Sequence, residues 1–497
     1  MNELNNSANP AMTIPATSIG ATFRDVDRGA LSQGRSRAQA ATAGASRGAF
    51  AGLYLFTLLL YVRPNELFPS VFGTFPIVKI VAIAAVFAYV VSRLGRGESL
   101  TIVPIELKLL GVITILGVLF APLAASPQDS INVLVDLFIK VGIIFVLMIN
   151  VIDTRQRLRS LINIVVVCGS IFAALAIRSY LIGDFMVVEK RYVGVVGLRI
   201  VGAVGGFFGN PNDLATSLDL LLPLAIALTL LNHGIKRLFF GICSVILIAG
   251  VIVTFSRGGF LGLIAMSGVL LWKVGRQNRA VTALAFAIIL GAFLLAMPGG
   301  YAGRISSIFN VAEDQTGSTE ARRDLMNRAA SIAAHHPLIG VGMGNFHIYS
   351  IHEQVAHNSY LETAAELGIV GLLAYLGFII APLRSLKKIE DVTTTDHSRK
   401  PFRANEPEDK NREIRFLSIA LQATLFAYIV CSFFGSIQYQ WFVYYPVAYA
   451  VALRRIWASE NPESTAETFG SKSTRETGVL LRRRGFQRPA VLPIKTR

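Results

Sequence analysis

The sequence predicts an all-α, polytopic membrane protein. Of its 497 residues 53% are hydrophobic, and the mean hydropathy is +0.54. Apolar runs near twenty residues recur along most of the length, more than a water-soluble core absorbs. Lys and Arg gather in alternate loops, the asymmetry that orients helices across a bilayer.

Taken in order, spans are expected near 49–62, 74–92, 107–125, 131–152, 159–182, 213–231, 238–255, 258–274, 280–297, 366–386, 414–435 and 441–453, about twelve in all, the first and last short. With the N-terminus inside, the cytoplasmic segments are the 1–48 tail (Arg24, Arg28, Arg35, Arg37, Arg47), Arg93/Arg96, Arg155/Arg157/Arg159, Lys236/Arg237, Arg276/Arg279, the 387–413 loop and the tail after Arg454. Both termini come out cytoplasmic. The net charge of +16 is then topology and attraction to anionic headgroups. Nucleic acid is not expected as a partner, because no aromatic-interleaved or recognition-module pattern accompanies the charge.

The first 48 residues are Ser/Ala/Arg-rich and too long for the start of a signal peptide. They and the 458–497 tail are expected to be disordered, which leaves 49–457 as the transmembrane domain. Cys168, Cys243 and Cys431 fall inside predicted spans and suit neither a disulfide framework nor a zinc site.

On the outer face two segments are long, 183–212 and 298–365, and both are rich in Gly, Asn, Arg and His. Loops of this length usually carry function. In "GFFGNPNDLA", Asn210 is a good helix cap, Pro211 suits the first helical position and Asp213 favours the helix N-terminus. Capping alone explains the stretch; the functional reading is that Asn210, Asn212 and the free amides face an anion. Arg191 and Arg199 lie upstream in the same outer loop, against the positive-inside trend. "TFSRGGFLG" makes Ser256 the next cap, gives Gly258 and Gly259 to a tight turn, and lands Arg257 in the first helical turn, where the dipole opposes a cation by roughly 0.3–1 kcal/mol. Either Arg257 snorkels to headgroups, or an anion outweighs the dipole.

Four ionisable residues fall in the outer halves of spans: Lys79, Asp136, Lys140 and Arg178. Charges at such depth usually face an interior cavity. Asp136 and Lys140, four apart, pair along one helix on the simpler reading; Lys79 and Arg178, without a local partner, are candidates to line the approach to a cationic pocket. In the long loop a short amphipathic helix starts at Ser318 or Thr319 and ends near His335, with Leu325, Ala329, Ile332 and Ala333 as its apolar stripe and Arg322, Arg323 and Arg328 as its charge. "GVGMG" then makes a tight or flexible connection, without the strand context or Lys-Ser/Thr of a phosphate loop.

Finally, "VAHNSYLETAAELGIVGLL" sets His357 just before a helix capped by Asn358 or Ser359, with Ser359 and Glu362 spaced as a capping box. The positive helix end disfavours imidazolium and keeps His357 neutral, as a general base requires. Alone it is a histidine at the end of a loop; beside the outer arginines it reads as a reaction centre.

His357-Asn358, nine residues, then Gly368-Ile369-Val370-Gly371 resembles the loop motif of the O-antigen ligase/polymerase superfamily of bacterial inner-membrane glycan transferases. The "NPN" at Asn210–Asn212, "SRGG" at Ser256–Gly259 and "ARRDLM…HPLIGVGMGNF" to Phe346 resemble its pattern in the same order, over roughly 195 to 380. The ordered set is specific where no single piece is.

This resemblance implies a fold related to the C-type glycosyltransferases, with one large periplasmic loop containing short helices. It implies a donor glycan on undecaprenyl pyrophosphate at the periplasmic face of the inner membrane, an acceptor that is lipid A-core, glycan or protein, and catalysis without metal, nucleotide or other cofactor. Arg is suited to pyrophosphate by its permanent forked charge. On this reading Arg199 and Arg257 bind the pyrophosphate with Arg191 or Arg322 helping, His357 activates the acceptor hydroxyl, and Asn358 and Asn210 orient the site. Two departures stand: a longer Arg199-to-"NPN" spacing, which leaves Arg191 and Arg199 both open, and Met326 where the family more often has an aromatic residue. A single dominant outer loop favours a ligase over a polymerase; a lipid-linked sugar transporter would instead predict internal repeats, which the halves do not show.

Overall fold

The computed structural model describes residues 47–73, 75–183, 208–274, 318–350, 353–399 and 408–469. Among these there is no strand; the chain runs up and down as a helical bundle. Nine described helices are long and apolar enough to cross a membrane: α2 (Ile77–Leu94), α3 (Ile105–Leu123), α4 (Pro127–Val151), α5 (Arg155–Leu181), α6 (Pro211–Leu231), α7 (Gly234–Val253), α8 (Arg257–Val274), the first part of α10 (Ser359–Arg399) and most of α11 (Glu408–Ser432). Residues 47–62 (α1) and Trp441–Glu460 (α12) are helical as well, and α9 (Ser318–His335) is a short polar helix. The span expected at 280–297 lies outside the described residues.

Burial separates centre from rim. The apolar windows of α6 and α11 are 78% and 72% buried, against 22% for α2 and for α8. Beside them α12 presents Tyr444, Tyr445, Tyr449 and Trp457 to the core. α6 packs on α7, α8 and α11, and α10 packs on α3 and α11, with α9 lying against α10. At the end opposite the N-termini of α6, α8 and α10, the Arg454 guanidinium grips the buried Glu106 carboxylate through two hydrogen bonds of 2.9 Å. Both charges are satisfied by that fork-to-fork geometry.

One sequence expectation differs from the structure. The tail expected to lose structure at 458 stays helical to Glu460 and again over Pro462–Phe469. Pro462 suits a first helical position, and Asn461 accepts the Thr465 amide at 3.0 Å. Of the charges expected in the outer halves of spans, Lys79, Asp136 and Arg178 are exposed and Lys140 is half-buried. They sit within a few turns of helix ends, where a long side chain reaches headgroups without entering the bundle. Asp136 and Lys140 do pair, at 2.6 Å.

Candidate functional site

The chain alternates direction, so α6, α8 and α10 begin at one end of the bundle. α6 starts as its sequence dictates: Asn210 Oδ1 accepts the amides of Asn212 and Asp213, each at 2.9 Å, and Pro211 occupies the first helical position. At α8, Ser256 Oγ accepts the Gly259 amide at 3.2 Å and donates to Asn212 Oδ1 at 2.9 Å. Arg257, half-buried, is the first residue of that helix. The tight turn expected from Gly258 and Gly259 is made elsewhere. Phe255 takes the positive φ, 54°, and the glycines are helical. Their role is contact: a Cβ on Gly258 would lie 3.0 Å from Phe434 Cβ, and one on Gly259 2.5 Å from Ala215 Cβ.

The "GVGMG" stretch packs into a break in α10. At Gly368 φ is +66° and the helix parts. The carbonyls of Ala365 and Glu366 then accept the amides of Val341 and Gly342, at 2.9 and 3.0 Å, while Ile369 N–H donates to Pro337 O at 2.8 Å. Only glycine fits at either face of this contact: a Cβ on Gly340 would stand 2.3 Å from the Glu366 carbonyl, one on Gly368 2.6 Å from Leu338 O. These amides are spent inside the protein and form no anion cradle. Asn345, fully buried, pins the segment to α4 with Nδ2 bonds to Ser130 Oγ (2.8 Å) and Ser126 O (3.2 Å), and accepts Ser126 N–H at 2.6 Å.

His357 precedes α10 by two residues, half-buried, with φ 53°. Left-handed backbone is uncommon for a residue with a Cβ, though histidine is among those that adopt it. Asn358 supplies the cap, its Oδ1 accepting the amides of Tyr360 (3.0 Å) and Leu361 (3.1 Å). The capping box expected of Ser359 and Glu362 does not form. Ser359 Oγ instead donates to Gly435 O at 2.7 Å and accepts Ile437 N–H at 3.0 Å. Glu362 accepts Ala356 N–H at 2.7 Å, Gln438 Nε2 at 2.9 Å and the Ser436 hydroxyl. One turn on, Glu366 accepts Phe346 N–H at 3.1 Å and the Tyr439 hydroxyl at 2.8 Å. Burial and the neighbouring Glu366 hold the Tyr439 phenol well above its ordinary value, so it stays a donor.

The loop between α11 and α12, residues 433–440, therefore joins two turns that are distant in sequence. Phe434 rests on Gly258, next to Arg257, and Gly435 holds Ser359, two residues from His357. On the other flank, Asn358 Nδ2 meets Met326 Sδ at 3.8 Å. Arg322 stands one turn before Met326 on that face of α9, half-buried. Leu325 and Ala329 are buried on α9, as its apolar stripe predicts.

Thus Asn210, Asn212, Arg257, Arg322, His357 and Asn358 come together at one end. Lys79, in the first turn of α2, and Arg178, in the last turn of α5, are exposed. Arg191 and Arg199 lie outside the described residues. Among the described residues no three His, Cys, Asp or Glu side chains gather as a metal-binding group. Sequence reasoning missed Glu366, Asn345 and the whole 433–440 loop, and gave Glu362 only a capping role. Two carboxylates four apart inside an apolar span were the available signal; the loop, beyond the motif set, had none.

A family model described as O-Antigen ligase matches residues 242–376. No curated protein matches the chain. A chain from the structure described as "Structural coordination of polymerization and crosslinking by a peptidoglycan synthase complex" matches at 15% identity over 72% of this chain and 97% of that one, with a TM-score of 0.38, too low a likeness to carry an argument. The 242–376 match takes in the Arg257 turn, the α9 helix, the glycine segment and the His357–Asn358 turn, so this stretch is similar to the O-antigen ligase family.

Proposed function

We propose that the protein transfers a glycan from undecaprenyl pyrophosphate to an acceptor hydroxyl at the periplasmic face of the inner membrane, as an O-antigen or polysaccharide ligase. The observation that carries it is that the Arg257 and His357 turns are joined through the 433–440 loop, with the Asn210–Asn212 turn tied to the first through Ser256 and the Arg322 helix tied to the second through Met326. Departure of a lipid pyrophosphate leaves negative charge, which guanidinium groups neutralise without proton exchange. Arg199 and Arg257 bind that pyrophosphate, with Arg191 or Arg322 helping. His357 takes the proton of the acceptor hydroxyl, since a weak nucleophile needs a base within hydrogen-bond reach. Asn358 and Asn210 hold the turns, and Asn212 presents its amide beside Ser256. The exposed Lys79 and Arg178 attract the anionic donor at the membrane surface.

In this reading the chain has about twelve spans and cytoplasmic termini, is related to the C-type glycosyltransferases, and needs no metal or nucleotide. The test combines purified protein in detergent with undecaprenyl-pyrophosphate glycan and, in separate reactions, lipid A-core, further repeat units or a protein acceptor. A single-step shift of the core supports a ligase; a ladder of lengthening glycan makes it a polymerase, and modified protein a protein glycosyltransferase. Transfer that survives intact in His357→Ala removes the histidine from the mechanism.

A further inference from the structure

We infer that Glu362 is a positioning residue, which fixes the turn carrying His357 to the 434–438 segment and thereby in register with Arg257; this rests on the reading that His357 and Arg257 serve one transfer. Glu362 is 5% exposed inside an apolar helix, a setting in which a carboxylate needs every oxygen bonded. Its donors come from two places only. Ala356 N–H, one residue before His357, bonds one oxygen together with the Ser436 hydroxyl, and Gln438 Nε2 bonds the other.

Two features make the clamp more than a filled core. The φ of 53° at His357 persists only where neighbours over-determine it. Asn358 does so on one side by capping α10, and Glu362 on the other by holding Ala356. The clamped loop then reaches Arg257, because Phe434 seats on Gly258. Without Glu362 the loop keeps its bonds to Ser359 but loses its tie to Ala356, the side of the turn that precedes His357.

The Gln438 amide makes a sharp test available. Its buried Oε1 has no hydrogen-bond partner. In Glu362→Gln the new NH2 faces Gln438, whose amide turns over to accept it, so the clamp survives without its charge. Glu362→Ala deletes it. We expect Glu362→Ala to lower kcat by about 100-fold with the donor KM unchanged, and Glu362→Gln to stay close to wild type. In a His357→Ala background, Glu362→Ala should cost nothing further, since both then act through one group. Hydrogen exchange supplies a readout independent of activity: peptides spanning 354–358 and 434–438 should lose protection together in Glu362→Ala and keep it in Glu362→Gln. Equal losses for Ala and Gln, an undiminished Glu362→Ala loss in the His357→Ala background, or unchanged exchange would each overturn the inference. An active His357→Ala would instead overturn the functional reading, while the exchange result still decides the clamp.

Discussion

Ser256 donates its hydroxyl to Asn212 Oδ1 at 2.9 Å, so a single bond ties the first turn of α6 to that of α8. Ser256→Ala removes this tie and the Gly259 cap at once. The expected loss is about 1–2 kcal/mol of stability, read as a lower unfolding midpoint in detergent, with a fall in transfer as the Asn212 and Arg257 turns part.

Arg257 separates charge from geometry. Arg257→Lys keeps the cation and loses the planar fork, so it should retain little of the activity that Arg257→Ala abolishes, with losses of roughly 100-fold or more expected for the alanine variant. Initial rates at saturating and limiting donor check this, and a lysine variant at full rate would reduce the role of Arg257 to a point charge.

Gly262 lies where a Cβ would stand 2.4 Å from Cys431 Sγ and 2.7 Å from Asp219 Oδ2. Gly262→Ala should therefore cost about 1–3 kcal/mol by overpacking α8 against α6 and α11. Adding Cys431→Ala opens the nearer contact and should return part of the loss, a coupling that the double-mutant cycle measures in thermal unfolding.

Gly368→Ala meets both a left-handed φ and the Leu338 carbonyl, and roughly 1–2 kcal/mol of backbone cost alone is expected. Because the 337–342 segment is bonded to that break, limited proteolysis should open the 338–347 region in this variant and leave it closed in wild type.

Asn345→Ala strips a side chain that bonds Ser126 at both its amide and its carbonyl. Ser126 O keeps the Ser130 N–H at 3.3 Å, while the half-buried Ser126 N–H loses the Asn345 oxygen, a loss of about 1–3 kcal/mol. A drop in unfolding midpoint larger than that of Ser256→Ala is the expected result.

The sequence was most readable where one residue type does one local job. Hydropathy placed the nine described helices that are long and apolar enough to cross a membrane, and Asn210, Pro211 and Ser256 start their helices as their chemistry requires. Tertiary contact decided the rest. Ser359 and Glu362 had the spacing of a local pair, yet the 435–438 backbone and side chains offered better partners, and Asn358 took the cap. Gly258 and Gly259 looked like turn residues because closeness to Phe434 and Ala215 leaves no trace in a local window. Lys79 and Arg178 stand exposed near helix ends, and the face on which each stands left no mark in the sequence, since an isolated charge carries no periodicity.

The break at Gly368 also bears on how the chain enters its membrane. Ala365 and Glu366 have carbonyls that the helix itself leaves open and that Val341 and Gly342 close. In hydrocarbon each such open group costs several kcal/mol. The first turns of α10 thus lack a self-sufficient backbone when the segment leaves the translocation machinery, and its lower part, after the break, is the portion fit to settle alone. Completion of this end of the bundle then waits for the upstream glycine segment to fold back onto the break and close those carbonyls.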